Sequence, residues 1–252
     1  IADCTPNVLE LMEELVTKAD QVLLKLSPML DWRKAIADIE ATGKAWVSQV
    51  HIVSLNNECK ELLIIVETGR QGDKETGGGR RKEEGGAGAR KPVVCVNFLS
   101  DGTEERFVFD ISPTCSLSSL LSLPVSLSPC LPVSFLYEPN ASVMKAGCFD
   151  EISHRFQVYQ LERNSHLFVA DRVIEDFPGR RFMIERITSM NKRELKAALA
   201  DVTYANIAVR NFPLTVADLR KRLKLKDGGD IFIFATTVEE KGHQLFICRK
   251  IG

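Results

Sequence analysis

Apolar residues recur along the first 68 positions with spacings that predict five consecutive elements. Thr5-Pro6 predicts a helix start, because threonine caps helices and proline suits the first helical position. A buried strand is predicted over Gln21–Leu26, a second helix over Trp32–Ala41, and two further strands over 47–54 and 60–67. This order is typical of the end of a doubly wound sheet whose last strand turns back antiparallel.

Two segments of biased composition interrupt the regular pattern. Residues 69–92 are rich in glycine and charge and predict a flexible linker, and no GK[ST] follows their glycines to suggest a phosphate loop. Residues 112–134 combine serine, leucine and proline, and four prolines exclude a continuous helix, so a poorly ordered insertion is predicted there. Between them, strands over 93–99 and 106–111 flank Ser100-Asp101-Gly102, which favours a hairpin.

The last third of the chain alternates between strand and helix spacing. Thr215, with Asp218 three residues later, forms a variant of the capping box before one of the helices. The predicted order is βαβαββ, with strands over 181–187, 204–210, 231–237 and 244–249 and helices over 191–200 and 216–223. Shorter elements precede it: helices over 140–147 and 151–156, and strands over 157–162 and 166–170.

Charge is distributed unevenly, although the net charge of the chain is only -1. Residues 1–68 carry 6 Lys or Arg against 11 Asp or Glu, and residues 93–179 carry 5 against 11. Residues 180–252 carry 15 Lys or Arg against 8 Asp or Glu. The overall balance excludes a uniformly basic nucleic-acid-binding protein, whereas the basic C-terminal segment favours a polyanionic partner.

Cysteine and histidine usage gives little sign of catalysis or metal binding. The 7 cysteines are scattered, without a CxxC motif, which indicates reduced thiols and a cytoplasmic protein. Cys59 has no base beside it in the sequence, and the 4 histidines have no spacing suited to a metal, so no metal is expected. No signal peptide and no apolar run of about 18 residues occurs, so neither secretion nor membrane association is expected.

Several runs of sequence resemble one bacterial group of class I S-adenosylmethionine-dependent methyltransferases. The longest, Ala205 to Asp230 followed by Phe234-Ala-Thr-Thr237, resembles the THUMP-like domain at the end of those proteins. The other runs are Lys25-Leu-Ser-Pro-Met-Leu-Asp31, Val50-His-Ile-Val-Ser54 with Asn57-Glu-Cys-Lys-Glu61, and Tyr137-Glu-Pro-Asn-Ala141 with Lys145-Ala-Gly147.

The resemblance implies a fold with α/β and α+β parts in three regions. Residues 1–68 would form the C-terminal third of a Rossmann-like methyltransferase sheet. Residues 93–178 would form a small ferredoxin-like domain that contains the insertion 112–134, and residues 179–252 a THUMP-like domain. THUMP-type domains accompany RNA-modifying enzymes, so the resemblance implies RNA as the partner, and DNA is not expected.

The resemblance also implies S-adenosyl-L-methionine as the cofactor of a full-length protein. Such enzymes hold it with a Gly-rich turn after the first strand and an acidic residue after the second, and this group has an Asp-Pro motif after the fourth. None of these occurs here, and Ile1 to Pro6 matches the stretch after the Asp-Pro motif. We therefore expect the chain to be the C-terminal portion of a longer protein, with no cofactor bound and no catalysis by these residues alone, and we assign no catalytic residue.

Clustered cations make the C-terminal segment the first candidate site. Each neutralised phosphate releases counterions, so dense positive charge favours nucleic acid, although such a cluster can also be an ordinary solvated face. Phe212 follows Arg210 and could stack on a base, but it also suits a core position. The RNA-binding candidates are Lys192, Arg193, Lys196, Arg210, Arg220, Lys221, Arg222, Lys224 and Lys226.

Polar residues after strands form a second set of candidates. Ligands of open α/β sheets bind outside the carboxyl ends of strands, which is where the loop after Leu26 is predicted to lie. The alternative is that these residues only form turns, helix caps and domain contacts. The substrate-cleft candidates are Lys25, Ser27, Asp31, Asn57, Glu58, Lys60, Glu138 and Asn140.

Three hypotheses of function remain from the sequence. The first is the C-terminal portion of an S-adenosylmethionine-dependent RNA methyltransferase, whose basic module positions RNA. The second is a non-catalytic RNA-binding protein, and the third is a protein-interaction module that uses the same sheet. The oligomeric state, the RNA and the methylated atom do not follow from the sequence.

Overall fold

A computed structural model describes residues 5–68, 91–111 and 134–252. These residues divide into two compact units. The first unit is drawn from the chain before residue 122 together with residues 141–146, and the second contains the remaining residues. Most of the predicted linker 69–92 and insertion 112–134 lies outside the described residues, whereas Lys91 and Pro92 belong to a strand rather than to a linker.

The first unit contains a five-stranded sheet and three helices. Its elements are α1 (Val8–Lys18), β1 (Gln21–Leu26), α2 (Trp32–Ala41), β2 (Ala45–Leu55), β3 (Glu58–Thr68), β4 (Lys91–Phe98), β5 (Glu104–Ile111) and α3 (Ala141–Ala146). The predictions of β1 and α2 are confirmed to the residue, and the two strands that follow are each longer than predicted.

The strand order of this sheet is β1-β3-β2-β4-β5. β3 lies between β1 and β2 and runs antiparallel to both, which confirms the predicted antiparallel last strand. Leu62, Ile64 and Val66 on β3 are fully buried, and the residues between them are only partly buried, so this central strand has one face in the core.

β4 and β5 correct the expected domain organisation. A ferredoxin-like domain was expected from residue 93, but β4 pairs in parallel with β2, and β5 pairs antiparallel with β4, so both strands extend the first sheet. Val93, Val94, Cys95 and Val96 are buried in succession. Consecutive burial means that both faces of β4 are covered, as is usual for a strand inside a sheet and unusual for an isolated hairpin.

The first helix begins later than predicted. Thr5-Pro6 was expected to supply the cap and the first helical residue, but α1 begins at Val8 with Asn7 as its cap. The Asn7 side chain accepts a hydrogen bond of 3.1 Å from the backbone N–H of Leu9, which satisfies a donor that the helix leaves free.

The second unit contains a seven-stranded sheet with order β10-β11-β12-β9-β6-β8-β7. Its elements are β6 (Phe135–Pro139), α4 (Phe149–Phe156), β7 (Tyr159–Gln160), β8 (Phe168–Ala170), β9 (Gly179–Ser189), α5 (Lys192–Ala198), β10 (Asn206–Arg210), α6 (Val216–Leu223), β11 (Ile231–Val238) and β12 (Gly242–Lys250). The βαβαββ order from β9 to β12 confirms the sequence prediction, and α6 has the predicted bounds.

β6 and β9 join two halves into this single sheet. Gly179, at the start of β9, pairs with Pro139 at the end of β6. A Cβ atom at Gly179 would lie 2.2 Å from the backbone oxygen of Glu138, so only glycine permits this close approach.

Two apolar layers cover β10, β11 and β12. On one face, Phe234 and Phe246 pack with Phe182, Leu136 and Leu167. On the other face, Ile233, Leu245 and Ile247 pack with residues of α5 and α6. The two helices therefore form one layer on one face of the sheet.

Candidate nucleic-acid interface

The helix layer presents the basic residues on one side of the second unit. Leu195 and Leu199 of the α5 region and Leu219 and Leu223 of α6 contribute to the same core cluster. α5 contacts β9 and α6 contacts β10. These strands are three strand spacings apart, so the two helices lie over opposite edges of the strand group, roughly 14 Å apart.

Seven of the nine RNA-binding candidates lie exposed on or directly after these helices. None of the seven forms an ion pair within the described parts of the chain, so their charge is not offset by a bound carboxylate. We call this set the basic surface; it consists of Lys192, Arg193, Lys196, Lys221, Arg222, Lys224 and Lys226.

Caps fix the first turns of both helices that carry the basic surface. Asn191 accepts a hydrogen bond of 2.9 Å from the backbone N–H of Arg193 at the start of α5. Thr215 accepts one of 3.2 Å from the backbone N–H of Asp218 in α6, as the capping-box pattern predicts. Lys221 and Arg222 lie in the last turn of α6, where the helix dipole favours positive charge.

Arg220 is a structural residue and not a free cation. Its Nη1 donates a hydrogen bond of 2.9 Å to the backbone oxygen of Ala205, and its Nη2 forms an ion pair of 2.5 Å with Asp227. Only 22% of the side chain is exposed. Arg220 therefore holds the segment around Ala205, and its contact with RNA stays a prediction.

Arg210 and Glu138 also differ from their predicted roles. Glu138, a cleft candidate, is buried at 3% exposure on β6. Its Oε1 accepts a hydrogen bond of 2.7 Å from Nη2 of Arg210, and its Oε2 accepts one of 2.8 Å from Nε of Arg180. Ala208, two residues before Arg210 on β10, packs on the face opposite the helix layer, so Arg210 projects away from the basic surface.

Tyr204 and Lys226 form an aromatic and cationic pair beside α6. Their backbones form a parallel bridge, and Nζ of Lys226 lies 5.5 Å from the centroid of the Tyr204 ring. This distance suits a cation–π interaction, and Tyr204 is nevertheless 49% exposed. Phe212, the aromatic candidate from the sequence, packs in the core cluster instead and makes an edge contact with His243.

The other cleft candidates lie in the first unit and mostly serve its own structure. Lys25 pairs with Glu61 at 2.9 Å. The Ser27 hydroxyl accepts from the backbone N–H of Met29, and Asp31 caps α2 by accepting from the backbone of Arg33 and Lys34. These contacts agree with the alternative left open by the sequence, in which such residues only form turns and helix caps.

Asn57 holds the β2–β3 hairpin to two neighbouring elements of the first unit. Its backbone N–H donates a hydrogen bond of 3.0 Å to Oδ1 of Asn97 on β4, and its own Oδ1 accepts one of 2.7 Å from Ala141 at the start of α3. Oδ1 of the buried Asn97 also accepts from Ser54, and its Nδ2 donates to Glu105. This polar network fixes the carboxyl ends of β2 and β4.

Of the remaining cleft candidates, two lie in the first unit and one in the second. Glu58 and Lys60 pair with each other at 2.7 Å in the first unit. Asn140 is buried in the second unit, where its backbone N–H donates to Pro178. β1 and β2 both run antiparallel to β3, so the loop after Leu26 and the hairpin lie at the same end of the first sheet.

Titratable groups in the described residues show no activated nucleophile. Burial raises the pKa of the Cys59 thiol, although Lys145 acts in the opposite direction. Burial also raises the pKa of Cys248. Both thiols therefore stay protonated near neutral pH. No group of three His, Cys, Asp or Glu side chains suited to a metal occurs in residues 5–68, 91–111 and 134–252.

Three residues with defined roles were missed at the sequence level. Arg180 was not singled out because it follows a Pro-Gly pair without a helical or clustered pattern. Asn97 lies in an apolar strand, where a single buried amide is a sign of a polar network. Tyr204 was assigned to a strand, although a tyrosine close to a basic cluster is the usual composition of a nucleic-acid surface.

No helix of the described residues is both long and apolar enough to span a membrane. No curated protein matches the chain significantly. A crystal structure of a "putative methyltransferase" from Porphyromonas gingivalis W83 is similar, with a TM-score of 0.74 and 28% sequence identity. The similarity covers 100% of this chain and 56% of that one, so the chain spans little more than half of its neighbour.

Family models match two consecutive stretches of the chain. Residues 135–178 match the ferredoxin-like domain model, which begins at β6 rather than at the expected residue 93. Residues 179–250 match the THUMP domain-like model, which spans β9 to β12. The protein therefore combines a mixed α/β sheet with a ferredoxin-like segment and a THUMP-like domain, and its fold resembles that of a methyltransferase-related protein.

Proposed function

We propose that this chain is the C-terminal portion of an RNA methyltransferase and that its basic surface holds the RNA. The observation that carries the proposal is the basic surface itself: seven exposed cations on or directly after two helices of one layer, without carboxylate partners in the described residues. Cations arranged in this way neutralise phosphates, and each neutralised phosphate contributes to affinity by counterion release. The THUMP-like match of the same residues favours RNA as the polyanion.

Methyl transfer is proposed for the longer protein and rests on the likeness to the Porphyromonas gingivalis structure. The proposed cofactor is S-adenosyl-L-methionine, which supplies the methyl group. The described residues at the carboxyl ends of β1 and β2 are used in a turn, a cap and a polar network, so we assign none of them to the cofactor. The role of this chain would be to hold the RNA in place for the reaction.

The salt dependence of RNA binding tests the basic surface. A short fluorescein-labelled single-stranded RNA is titrated with the 252-residue chain at several KCl concentrations, and affinity is followed by fluorescence anisotropy. The combined substitution Lys221→Ala and Arg222→Ala should lower the log–log salt slope by about 1.4, because each lost phosphate contact on a single strand contributes about 0.7. We choose Lys221 and Arg222 because both are exposed, whereas Arg220 is structural.

A control with equal loss of charge uses Lys18→Ala and Lys34→Ala. Both lysines are exposed in the first unit and lie beside a carboxylate one helical turn away. This control should bind RNA like the wild type. An equal effect of the two double variants, or no binding by the wild type, would contradict the proposal.

Cofactor binding separates a methyltransferase from an RNA-binding protein without catalysis. Titration calorimetry of S-adenosylmethionine is carried out on the 252-residue chain and on a longer polypeptide that extends upstream of Ile1. The proposal expects uptake by the longer polypeptide only. Absence of uptake by both would favour a non-catalytic RNA-binding protein.

A further inference from the structure

Tyr204 occupies an unusual position for a large aromatic side chain. Tyr204 is 49% exposed, although both of its backbone neighbours are fixed. The backbone N–H of Lys226 donates to the oxygen of Thr203, and that of Ala205 donates to the oxygen of Lys226, each at 2.9 Å. These two hydrogen bonds flank Tyr204, and Ala205 is fully buried in the core of the THUMP-like domain.

The segment opposite Tyr204 is fixed as well. The carbonyl of Gly229 accepts a hydrogen bond of 2.7 Å from the side chain of Asn206. A Cβ atom at Gly229 would lie 3.0 Å from Cβ of Tyr204, so glycine leaves room for the tyrosine. Arg220 adds two further contacts, to Ala205 and to Asp227, which adjoin Tyr204 and Lys226 in sequence. The exposed ring is therefore held by a rigid backbone.

The charge around this ring is strongly positive. Residues 220–230 contain five Lys or Arg and two Asp, and one of the two, Asp227, is paired with Arg220. Nζ of Lys226 lies 5.5 Å from the ring centroid, and Lys224 follows α6 as an exposed cation. A rigid exposed aromatic ring beside exposed cations matches what single-stranded nucleic acid needs: a π-face for a base and cations for the adjoining phosphates.

We propose that Tyr204 is a stacking platform for one unpaired base of the RNA, with Lys226 beside it to contact a neighbouring phosphate. This inference rests on the proposed RNA binding and adds the mode of recognition: an unstacked base in a single-stranded stretch, rather than duplex backbone alone. Stacking on tyrosine accepts any base, so the platform contributes affinity and register without reading sequence.

The test compares a normal single-stranded RNA with one that carries a single abasic site, for the wild type and for Tyr204→Ala. The probes are fluorescein-labelled oligonucleotides with the abasic site moved through each position, and affinity is measured by anisotropy on the 252-residue chain. Tyr204→Ala should weaken binding of the normal RNA about 5- to 150-fold. One abasic position should weaken wild-type binding similarly and weaken Tyr204→Ala little further.

The salt dependence of binding distinguishes the contribution of the Tyr204 ring from that of the Lys226 charge. Tyr204→Ala should leave the log–log salt slope unchanged, because it removes no charge, whereas Lys226→Ala should lower the slope by about 0.7. Tyr204→Phe should bind like the wild type, because it keeps the π-face. Tyr159→Ala is the matched control, since Tyr159 is 43% exposed on β7, away from the basic surface, and it should leave affinity unchanged.

The outcomes distinguish this inference from the proposed function. If the wild type binds RNA and Tyr204→Ala binds equally well, the platform is overturned while RNA binding stands. Equal losses for Tyr204→Phe and Tyr204→Ala would overturn stacking in favour of the hydroxyl group. If the wild type does not bind RNA, both proposals fall. Thermal unfolding of each variant confirms that a loss of affinity is not a loss of fold.

Discussion

Arg210 on β10 donates a hydrogen bond of 2.7 Å to Oε1 of Glu138 on β6. Arg180 on β9 donates to the other carboxylate oxygen. One buried carboxylate of the ferredoxin-like segment thus binds two arginines of the THUMP-like domain. Each arginine has 39% of its side chain exposed, so water solvates both guanidinium groups. The buried carboxylate is instead stabilised by its ion pairs with the two arginines.

Substitution of Glu138 should destabilise the second unit. Glu138→Gln keeps the size of the side chain but leaves two guanidinium groups without a counter-charge, so we expect the free energy of unfolding to fall by about 1–3 kcal/mol. Urea denaturation followed by circular dichroism measures this change. Glu239→Gln, at an exposed position, should change it by less than about 0.5 kcal/mol. Equal stability of the two variants would show that the carboxylate is dispensable.

Alanine substitution of Arg220 should affect stability, whereas alanine substitution of Arg222 should affect RNA binding. Arg220→Ala leaves the carbonyl of Ala205 without its side-chain donor and should lower the free energy of unfolding by about 1–2 kcal/mol. Arg222→Ala should leave stability within about 0.5 kcal/mol but lower the salt slope of RNA binding by about 0.7. Denaturation and anisotropy on both variants check the pattern. Equal changes in stability and in salt slope for the two variants would contradict the assignment of Arg220 as structural and Arg222 as an exposed RNA-binding residue.

Protonation of His166 should make stability depend on pH. Its ring stacks on Phe149 with centroids 4.2 Å apart, and its Nδ1 is buried without a hydrogen-bond partner in the described chain. Burial, and then the charge of Arg210, lowers the pKa of His166 below its ordinary value of 6.5. The unfolded state therefore binds a proton at His166 more readily than the folded state. The stability that neutral His166 contributes is complete above pH 6.5 and is lost as the pH falls towards the lowered pKa.

The measurement is the melting temperature between about pH 7.5 and about pH 5.5. His166→Gln should reduce the fall of melting temperature over this range. It should not abolish it, because burial followed by the charge of Arg106 also lowers the pKa of His51. Asn164→Gln, a neutral change in the same loop, should leave the fall as it is in the wild type. An unchanged slope in His166→Gln would refute the assignment.

Local sequence patterns were sufficient to predict many helices and strands, but not to predict which strands pair with each other. α2 and α6 were predicted to the residue, because apolar spacing and a capping Asp31 or Thr215 act within one or two turns. The partner of β4 was not predictable in this way, since its parallel pairing with β2 joins residues separated by the Gly-rich segment. The unbroken apolar run Val93–Val96 was the available sign that β4 lies inside a larger sheet.

For the candidate site, too, the sequence indicated the segment but not the role of each residue in it. The sequence grouped the cations that are exposed on and after α5 and α6, but it did not separate Arg220 from its neighbours. Helical spacing contained part of that information, because position 220 precedes Leu223, which packs against the core cluster, by three residues. The pairing of Glu138 with Arg180 and Arg210 joins distant positions, and no local pattern indicates it.

Helix α3 has a consequence for how the polypeptide can be divided. It lies within the span of the ferredoxin-like match, yet Ala141–Ala146 packs on β2, β3 and β4 of the first unit. The backbone therefore leaves the second unit after Asn140 and returns to it at Gly147. No single cleavage can release the two units as intact pieces, because a protein started at β6 would take away the helix that buries part of the first sheet.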